Sequence, residues 1–151
     1  MQGTILCWVN DSAHGRAALN AAADLSDRLK LRLVLACIAD GVDGADANEN
    51  ATRTRQREGA ARLVARLASE HGLSSRAERR AAVGDPAALL GQIAAEEAAD
   101  LIVVGAPDGG RLRRSSQSRL AEHLESATTV PVLFVPSRGE QAALATRRCR
   151  R

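Results

Sequence analysis

The stretch GDPAALLGQIAAEEAADLIVVG, residues 84–105, decides the fold because it joins a helix directly to a buried strand. Asp85 is a suitable N-cap and Pro86 suits the first helical position. The residues at helical spacing that we expect to face a core are Leu89, Leu90 and Ile93. The run LIVVG is short and wholly apolar, as in a strand that is covered on both faces. Such strands are typical of parallel sheets with helices on either side.

The rest of the chain repeats this alternation. Apolar runs predict strands at residues 4–9, 31–39, 101–105 and 131–135, with a weaker one at 76–83 that suits a sheet edge. Helical spacing predicts helices over residues 16–30, 51–71 and 116–126, and within the stretch 84–100. Their predicted inner residues include Ala18, Leu19, Ala22, Leu25 and Leu29 in the first helix, and Leu63, Val64 and Leu67 in the second.

This order predicts a single α/β domain: a doubly wound, five-stranded parallel sheet with helices on both faces, Rossmann-like, with the first strand in the middle. We place the domain at residues 1–137 and a basic, disordered tail at 138–151. Gly72 is a plausible helix stop, and the acidic stretch 40–50 is a loop.

The positive net charge of the chain comes from the tail. The 151 residues carry a formal charge of +3, but the tail has five arginines and one acid, which leaves −1 for residues 1–137. A nucleic-acid partner is therefore not expected, since it would need a basic face on the domain. No apolar run approaches the ~20 residues of a membrane span, and the N-terminus does not resemble a secretory signal, so we expect a cytoplasmic protein.

The cysteines do not form a metal or disulfide pattern. Cys7 and Cys37 lie in apolar runs and Cys149 lies in the tail, with no CxxC spacing. Neighbouring strands bring Cys7 towards Cys37, but a disulfide is not expected in a reducing compartment. We therefore interpret the first two as small buried apolar residues.

In a doubly wound sheet, ligands bind at the carboxyl ends of the strands, where the winding direction reverses. The residues predicted to meet there are Val9, Asn10, Asp11, Ala39 and Asp40, with the loop GAPDGGRLRRSSQSRL that begins at Gly105. Asp11 followed by Ser12 is better interpreted as a helix cap than as a catalytic pair.

The residues that several known binding and catalytic motifs require are absent from the sequence. The only lysine, Lys30, is at a helix end, so neither a Walker P-loop nor a phospho-receiver site is present. There is no GxSxG motif, and His14, His71 and His123 lie in three separate helical regions. No nucleophile–base pair is visible, and we therefore predict that the protein is not an enzyme, with no catalytic or metal-binding residues.

Four segments, in order, resemble the universal stress protein family: ILCWVNDS at residues 5–12, GDPAALL at 84–90, the loop from Gly105, and VPVLFVP at 130–136. The resemblance covers the chain to about residue 136 and implies the fold predicted above. Nucleotide-binding members have a glycine after the fourth strand, another after two residues, a third after nine more, and then Ser or Thr. On this chain these places hold Gly105, Asp108, Ser118 and Arg119.

The departures from this motif decide what the resemblance implies. Asp108 brings a carboxylate towards phosphate oxygens, Ser118 loses the access of glycine to positive φ, and Arg119 replaces a compact hydroxyl. Asn10 replaces an acid that in the family helps to hold the nucleoside, and Asp11 stands in a glycine place. The candidate site residues are Val9, Asn10, Asp11, Ala39, Gly105, Asp108, Gly109, Gly110, Ser118 and Arg119.

Two hypotheses follow from the resemblance. In the first, preferred one, the nucleotide site is degenerate and the protein is a non-enzymatic, dimeric regulatory module in the stress response, with an unknown protein partner. In the second, ATP or a related adenine nucleotide binds with Mg²⁺, and loop arginines hold its phosphates. The family commonly dimerises through its last strand, so we expect a homodimer through Val132 to Val135.

Overall fold

The computed structural model describes residues 3–39, 49–106, 120 and 122–136. Residues 122–127 are helical. The other elements, in chain order, are β1 (Thr4–Trp8), α1 (Ala13–Leu29), β2 (Arg32–Ala39), α2 (Glu49–Glu70), β3 (Ala77–Val83), α3 (Pro86–Glu96), β4 (Leu101–Gly105) and β5 (Val132–Val135).

The strands form one five-stranded sheet in the order β3-β2-β1-β4-β5, and each neighbouring pair is parallel. The chain moves outward from β1 through β2 to β3, crosses to β4 on the other side of β1, and ends at β5. The winding direction therefore reverses between β1 and β4. The predicted fold class is confirmed, and β3 lies at an edge as its weak apolar pattern predicts.

The core lies in two layers because successive strand residues point to opposite faces. Ile5, Cys7 and Val9 pack with α1 and α2 on one face. Leu6 packs on the other face with α3, and Trp8 is half-buried beside it. Small and branched side chains fill both layers, which fits a chain with a single Phe and a single Trp.

The helix ends follow from specific residues. The Asp85 carboxylate accepts a hydrogen bond of 3.0 Å from the Ala88 N–H, and Pro86 begins α3, both as predicted. Gly72 has φ +67° after α2, the left-handed conformation of a helix stop.

The prediction that Leu29 faces the core is wrong, because α1 ends at that residue. Lys30 takes a left-handed conformation and donates its N–H to the Ser26 carbonyl, which closes the helix. The Leu29 side chain is left 61% exposed. The other predicted inner residues of α1 are buried or half-buried.

Both central cysteines are free and lie in the core. Burial raises the pKa of the Cys7 thiol far above its ordinary value, and burial also raises the pKa of Cys37. These side chains act as apolar packing groups, as the sequence predicts.

Among the described residues, no helix combines the length and the apolar character needed to span a membrane.

Candidate functional site

The predicted crevice lies at the carboxyl ends of β1, β2 and β4. The register pairs Cys7 with Val103 and Trp8 with Ala36, and Val9, Asn10 and Asp11 follow directly after the end of β1. Ala39 ends β2 and Gly105 ends β4. The structure therefore brings the described candidate residues of all three strands to one edge of the sheet.

Val9 and Ala39 are held there by the backbone of the sheet. Val9 is fully buried, and its N–H donates to the Ala36 carbonyl at 2.8 Å. The Ala39 carbonyl accepts from the Gly84 N–H at 2.9 Å. These two residues thus extend the strand ladder and carry no polar side chain into the crevice.

Gly105 lies where the first turn of α1 crosses the end of β4. A Cβ atom on Gly105 would stand 2.2 Å from the His14 carbonyl oxygen and 3.0 Å from the Gly15 backbone nitrogen. Real Cβ atoms do not approach backbone atoms this closely, so any larger residue would force the helix away from the sheet. The absence of a side chain at Gly105 is therefore a packing requirement of the described fold.

Asn10 is bound into the cap of α1. Its side-chain oxygen accepts a hydrogen bond from the Ser12 hydroxyl. The Ser12 oxygen in turn accepts from the Gly15 N–H at 3.0 Å, which makes Ser12 the N-cap. A Cβ on Gly15 would lie 2.7 Å from the Asn10 backbone carbonyl oxygen and would also clash with the Asn10 side-chain oxygen, so Gly15 must be glycine for this arrangement to form.

Asp11 belongs to a closed ring of four alternating charges, which we call the Asp11 ring. Its carboxylate receives Arg16 at 2.7 Å and Arg66 at 3.0 Å. Arg16 also binds Glu70 at 2.9 Å, and Arg66 lies 3.7 Å from the other Glu70 oxygen. The ring ties the end of β1 and the first turn of α1 to the last turns of α2.

The interpretation of Asp11 and Ser12 as a helix cap is correct for Ser12 and wrong for Asp11. The Asp11 carboxylate binds two guanidinium groups in place of backbone N–H groups. The hydrogen bond from Arg16 is the main cause that lowers the pKa of Asp11, and Arg66 adds to it. The hydrogen bond to Asp11 in turn raises the pKa of Arg16.

The Asp11 ring predicts a loss of stability in acid. Because the folded pKa of Asp11 is lower than its unfolded value, its contribution is present above the unfolded pKa of about 3.9 and disappears as the pH falls through the folded pKa. We expect the free energy of unfolding, measured by urea titration between neutral pH and about pH 3, to decrease. Asp11→Asn should lower stability at neutral pH and flatten this dependence.

The matched control is Glu58→Gln, which removes an exposed carboxylate on α2 that makes no ion pair with any described residue. This variant should keep the pH dependence of the wild type. An Asp11→Asn protein with an unaltered profile would show that the ring contributes nothing to stability.

The remaining candidates lie outside the residues that the structure describes: Asp40 and the loop residues Asp108, Gly109, Gly110, Ser118 and Arg119.

Sequence reasoning missed Arg16, Arg66, Glu70 and Gly15. The spacing of Arg66 and Glu70, four residues apart on one helix, is a recognisable sign of an ion pair. A glycine in the first turn of a helix is likewise a sign of close backbone approach. Neither sign reveals Asp11 as the partner, because Arg66 is 55 positions away in the chain.

The fold and the crevice together define a doubly wound α/β domain with a ligand edge at its strand reversal. The profile of the universal stress protein family matches residues 1–136, and the chain belongs to this family. A search of curated proteins finds no significant match.

Solved structures agree with this assignment. A universal stress protein family member from Burkholderia pseudomallei is 25% identical, with a TM-score of 0.69 over 89% of this chain and 96% of that one. A universal stress protein in complex with cAMP is 19% identical, with a TM-score of 0.60 over 90% and 98%. A family protein from Arabidopsis thaliana with AMP bound is 12% identical, with a TM-score of 0.60 over 92% and 94%. The last two establish likeness of fold.

Proposed function

We propose that this universal stress protein is a non-enzymatic, homodimeric regulatory module whose crevice does not bind a nucleotide in the manner of the family. The observation that carries this proposal is the state of Asn10. It occupies the place of an acid that helps to hold the nucleoside, yet it is neutral and its side-chain oxygen already accepts from Ser12. A nucleoside would meet no carboxylate from this residue.

Asp11 supports the same conclusion. It adds a carboxylate to the place where the family has a glycine, but both of its oxygens are engaged by Arg16 and Arg66. The polar groups at the end of β1 thus stabilise the contacts among β1, α1 and α2. Freeing either group for a ligand would disrupt the helix cap or the ring.

The proposal of a non-enzymatic role rests on the lack of a visible nucleophile–base pair in the sequence. In the part of the chain that the structure describes, no group of three or more His, Cys, Asp or Glu residues is arranged to hold a metal ion. We place the protein in the cytoplasm, where free thiols such as those of Cys7 and Cys37 are the usual state.

The alternative function is binding of ATP or a related adenine nucleotide with Mg²⁺. It is favoured by the direction of the helices, because α1, α2 and α3 each follow a strand and begin at the carboxyl edge. Their N-termini give this edge a positive potential that suits phosphate groups. Family members with cAMP and AMP bound show that related folds accept nucleotides.

A restored variant distinguishes the two functions. Asn10→Asp, Asp108→Gly, Ser118→Gly and Arg119→Ser together return four of the five changed positions to the family residues and leave Asp11 in its ring. The midpoint of thermal unfolding is measured with and without excess ATP and Mg²⁺, because a ligand that binds only the folded state raises it. We expect a rise in the restored variant and none in the wild type. A rise in the wild type would favour the alternative and contradict the proposal.

A further inference from the structure

Some of the described arginines form ion pairs with carboxylates and others do not. Most of them bind a carboxylate: Arg16, Arg28, Arg32, Arg66, Arg76 and Arg80. Arg53 has an interaction of its own. Within the described residues, Arg55, Arg57, Arg62 and Arg79 make no ion pair, and all four are exposed. Three of these four belong to α2, so unpaired positive charge is concentrated on one helix.

Two of the unpaired arginines share one face of α2 with Arg66. A residue that is seven or eleven positions after another on an α-helix lies within about 20° of it around the helix axis. Arg55, Arg62 and Arg66 have this spacing and form a line that we call the arginine stripe. The buried residues of α2, such as Val64 and Leu67, lie on the opposite side. Arg57 is seven residues before Val64 and therefore lies on that inner side.

The first half of α2 is less buried than the second. Residues 50–59 include no fully buried residue, and the buried positions begin at Ala60. Arg55 is exposed, so a partner can approach it.

Gly59 lies between Arg55 and Arg62 on nearly the same face. A Cβ on Gly59 would meet no atom within 4 Å, so nothing in the described fold requires glycine there. Glycine in a helix interior costs about 1 kcal/mol relative to alanine. Its presence leaves an open approach to the helix backbone between two guanidinium groups.

The chemistry of the stripe indicates its partner. Residues 50–58 contain no large apolar side chain, which does not suit insertion into a lipid surface. The whole chain carries a formal charge of +3 and the tail contributes +4, which leaves a net charge of −1 for residues 1–137. The domain therefore lacks the broad basic surface that a nucleic acid requires. A short acidic segment complements a narrow line of arginines, because each guanidinium binds a carboxylate with two parallel hydrogen bonds.

We propose that the arginine stripe of α2 is the docking surface for an acidic segment of a partner protein. This interaction goes beyond the regulatory role proposed above by giving the chemistry of the partner. It does not depend on whether the crevice binds a nucleotide.

The test measures binding of a fluorescein-labelled helical peptide to the full chain by fluorescence anisotropy, without nucleotide. The peptide carries two glutamates seven residues apart, which matches Arg55 and Arg62, the two arginines of the stripe that make no ion pair with any described residue. Arg55→Glu with Arg62→Glu should weaken binding by about tenfold or more, as expected when two exposed ion pairs become repulsions. Arg55→Gln with Arg62→Gln should weaken it less. Binding should also decrease as salt is added.

The matched control is Arg57→Glu with Arg79→Glu, which changes the net charge equally at the other two unpaired arginines. It should stay within about twofold of the wild type. An equal loss in the control, or persistent binding in Arg55→Glu with Arg62→Glu, would place binding elsewhere, for example on the arginines of the tail, and overturn the proposal. No binding by the wild type, or tighter binding of a DNA oligonucleotide that depends on the same two arginines, would also overturn it.

Discussion

Gly105→Ala is expected to lower the free energy of unfolding by about 3 kcal/mol, the upper end of the usual cost of overpacking. The new methyl group would meet the His14 carbonyl oxygen at 2.2 Å and the Gly15 nitrogen at 3.0 Å. Both are backbone atoms, so no flexible side chain can move aside. Relief would require α1 to move away from β4, which would expose buried contacts at the centre of the sheet.

Gly59→Ala is the control for this experiment, because it makes the same chemical change in open space. It should raise the free energy of unfolding by roughly 0.5–1 kcal/mol through helix propensity alone. Urea titration of the two variants beside the wild type provides the measurement. A Gly105→Ala protein as stable as the wild type would show that α1 does not pack so tightly on β4, and the structural role assigned to Gly105 would be lost.

Leu133→Lys is expected to convert the proposed homodimer to monomer at micromolar concentrations. In the described sheet, β5 pairs only with β4, so its outer edge is open to a second copy. Leu133 is 40% exposed on this strand. Its neighbours Val132 and Phe134 point to the other face of the sheet, where they line a cavity of about 280 Å³.

The size of the effect follows from symmetry. Removing one such leucine from an interface costs about 1.5 kcal/mol in apolar burial. A twofold symmetric interface contains the leucine of both copies, so the substitution removes this contribution twice. The total of about 3 kcal/mol corresponds to a dissociation constant more than a hundredfold higher. Sedimentation equilibrium over a range of concentrations measures this constant.

Leu29→Lys is the matched control, because Leu29 is exposed at the C-terminal end of α1 and is not a residue of β5. It should leave the association unchanged. A wild type that is monomeric at micromolar concentrations would refute the dimer, and equal dissociation in both variants would show that β5 is not its interface.

The order and direction of the strands could be predicted because they depend on local patterns. The apolar runs at β1, β2 and β4 are short and continuous, and helices separate them, which leaves few topologies for a parallel sheet. The edge position of β3 followed from its charged residues, such as Arg79 and Arg80, which a central strand would bury.

Contacts between distant segments could not be predicted in the same way. Leu29 fits the apolar spacing of α1, but the helix ends there and the side chain turns to solvent. The position of Asp11 before a helix suggests a cap, yet its partners include Arg66 on α2, which only the folded chain brings near. Gly105 matched the first glycine of the family's nucleotide loop, whereas the structure shows that its lack of a side chain allows the close approach of α1.

Equilibrium dialysis of the wild-type protein against labelled ATP, with and without Mg²⁺, is the measurement to make first. In the proposed arrangement, Asn10 and Asp11 at the end of β1 stabilise the fold and leave no carboxylate for a nucleotide. We therefore expect no retention of ATP at micromolar concentrations under either condition. Saturable binding of one ATP per chain, with micromolar affinity, would overturn this arrangement and make the protein a nucleotide-binding member of its family.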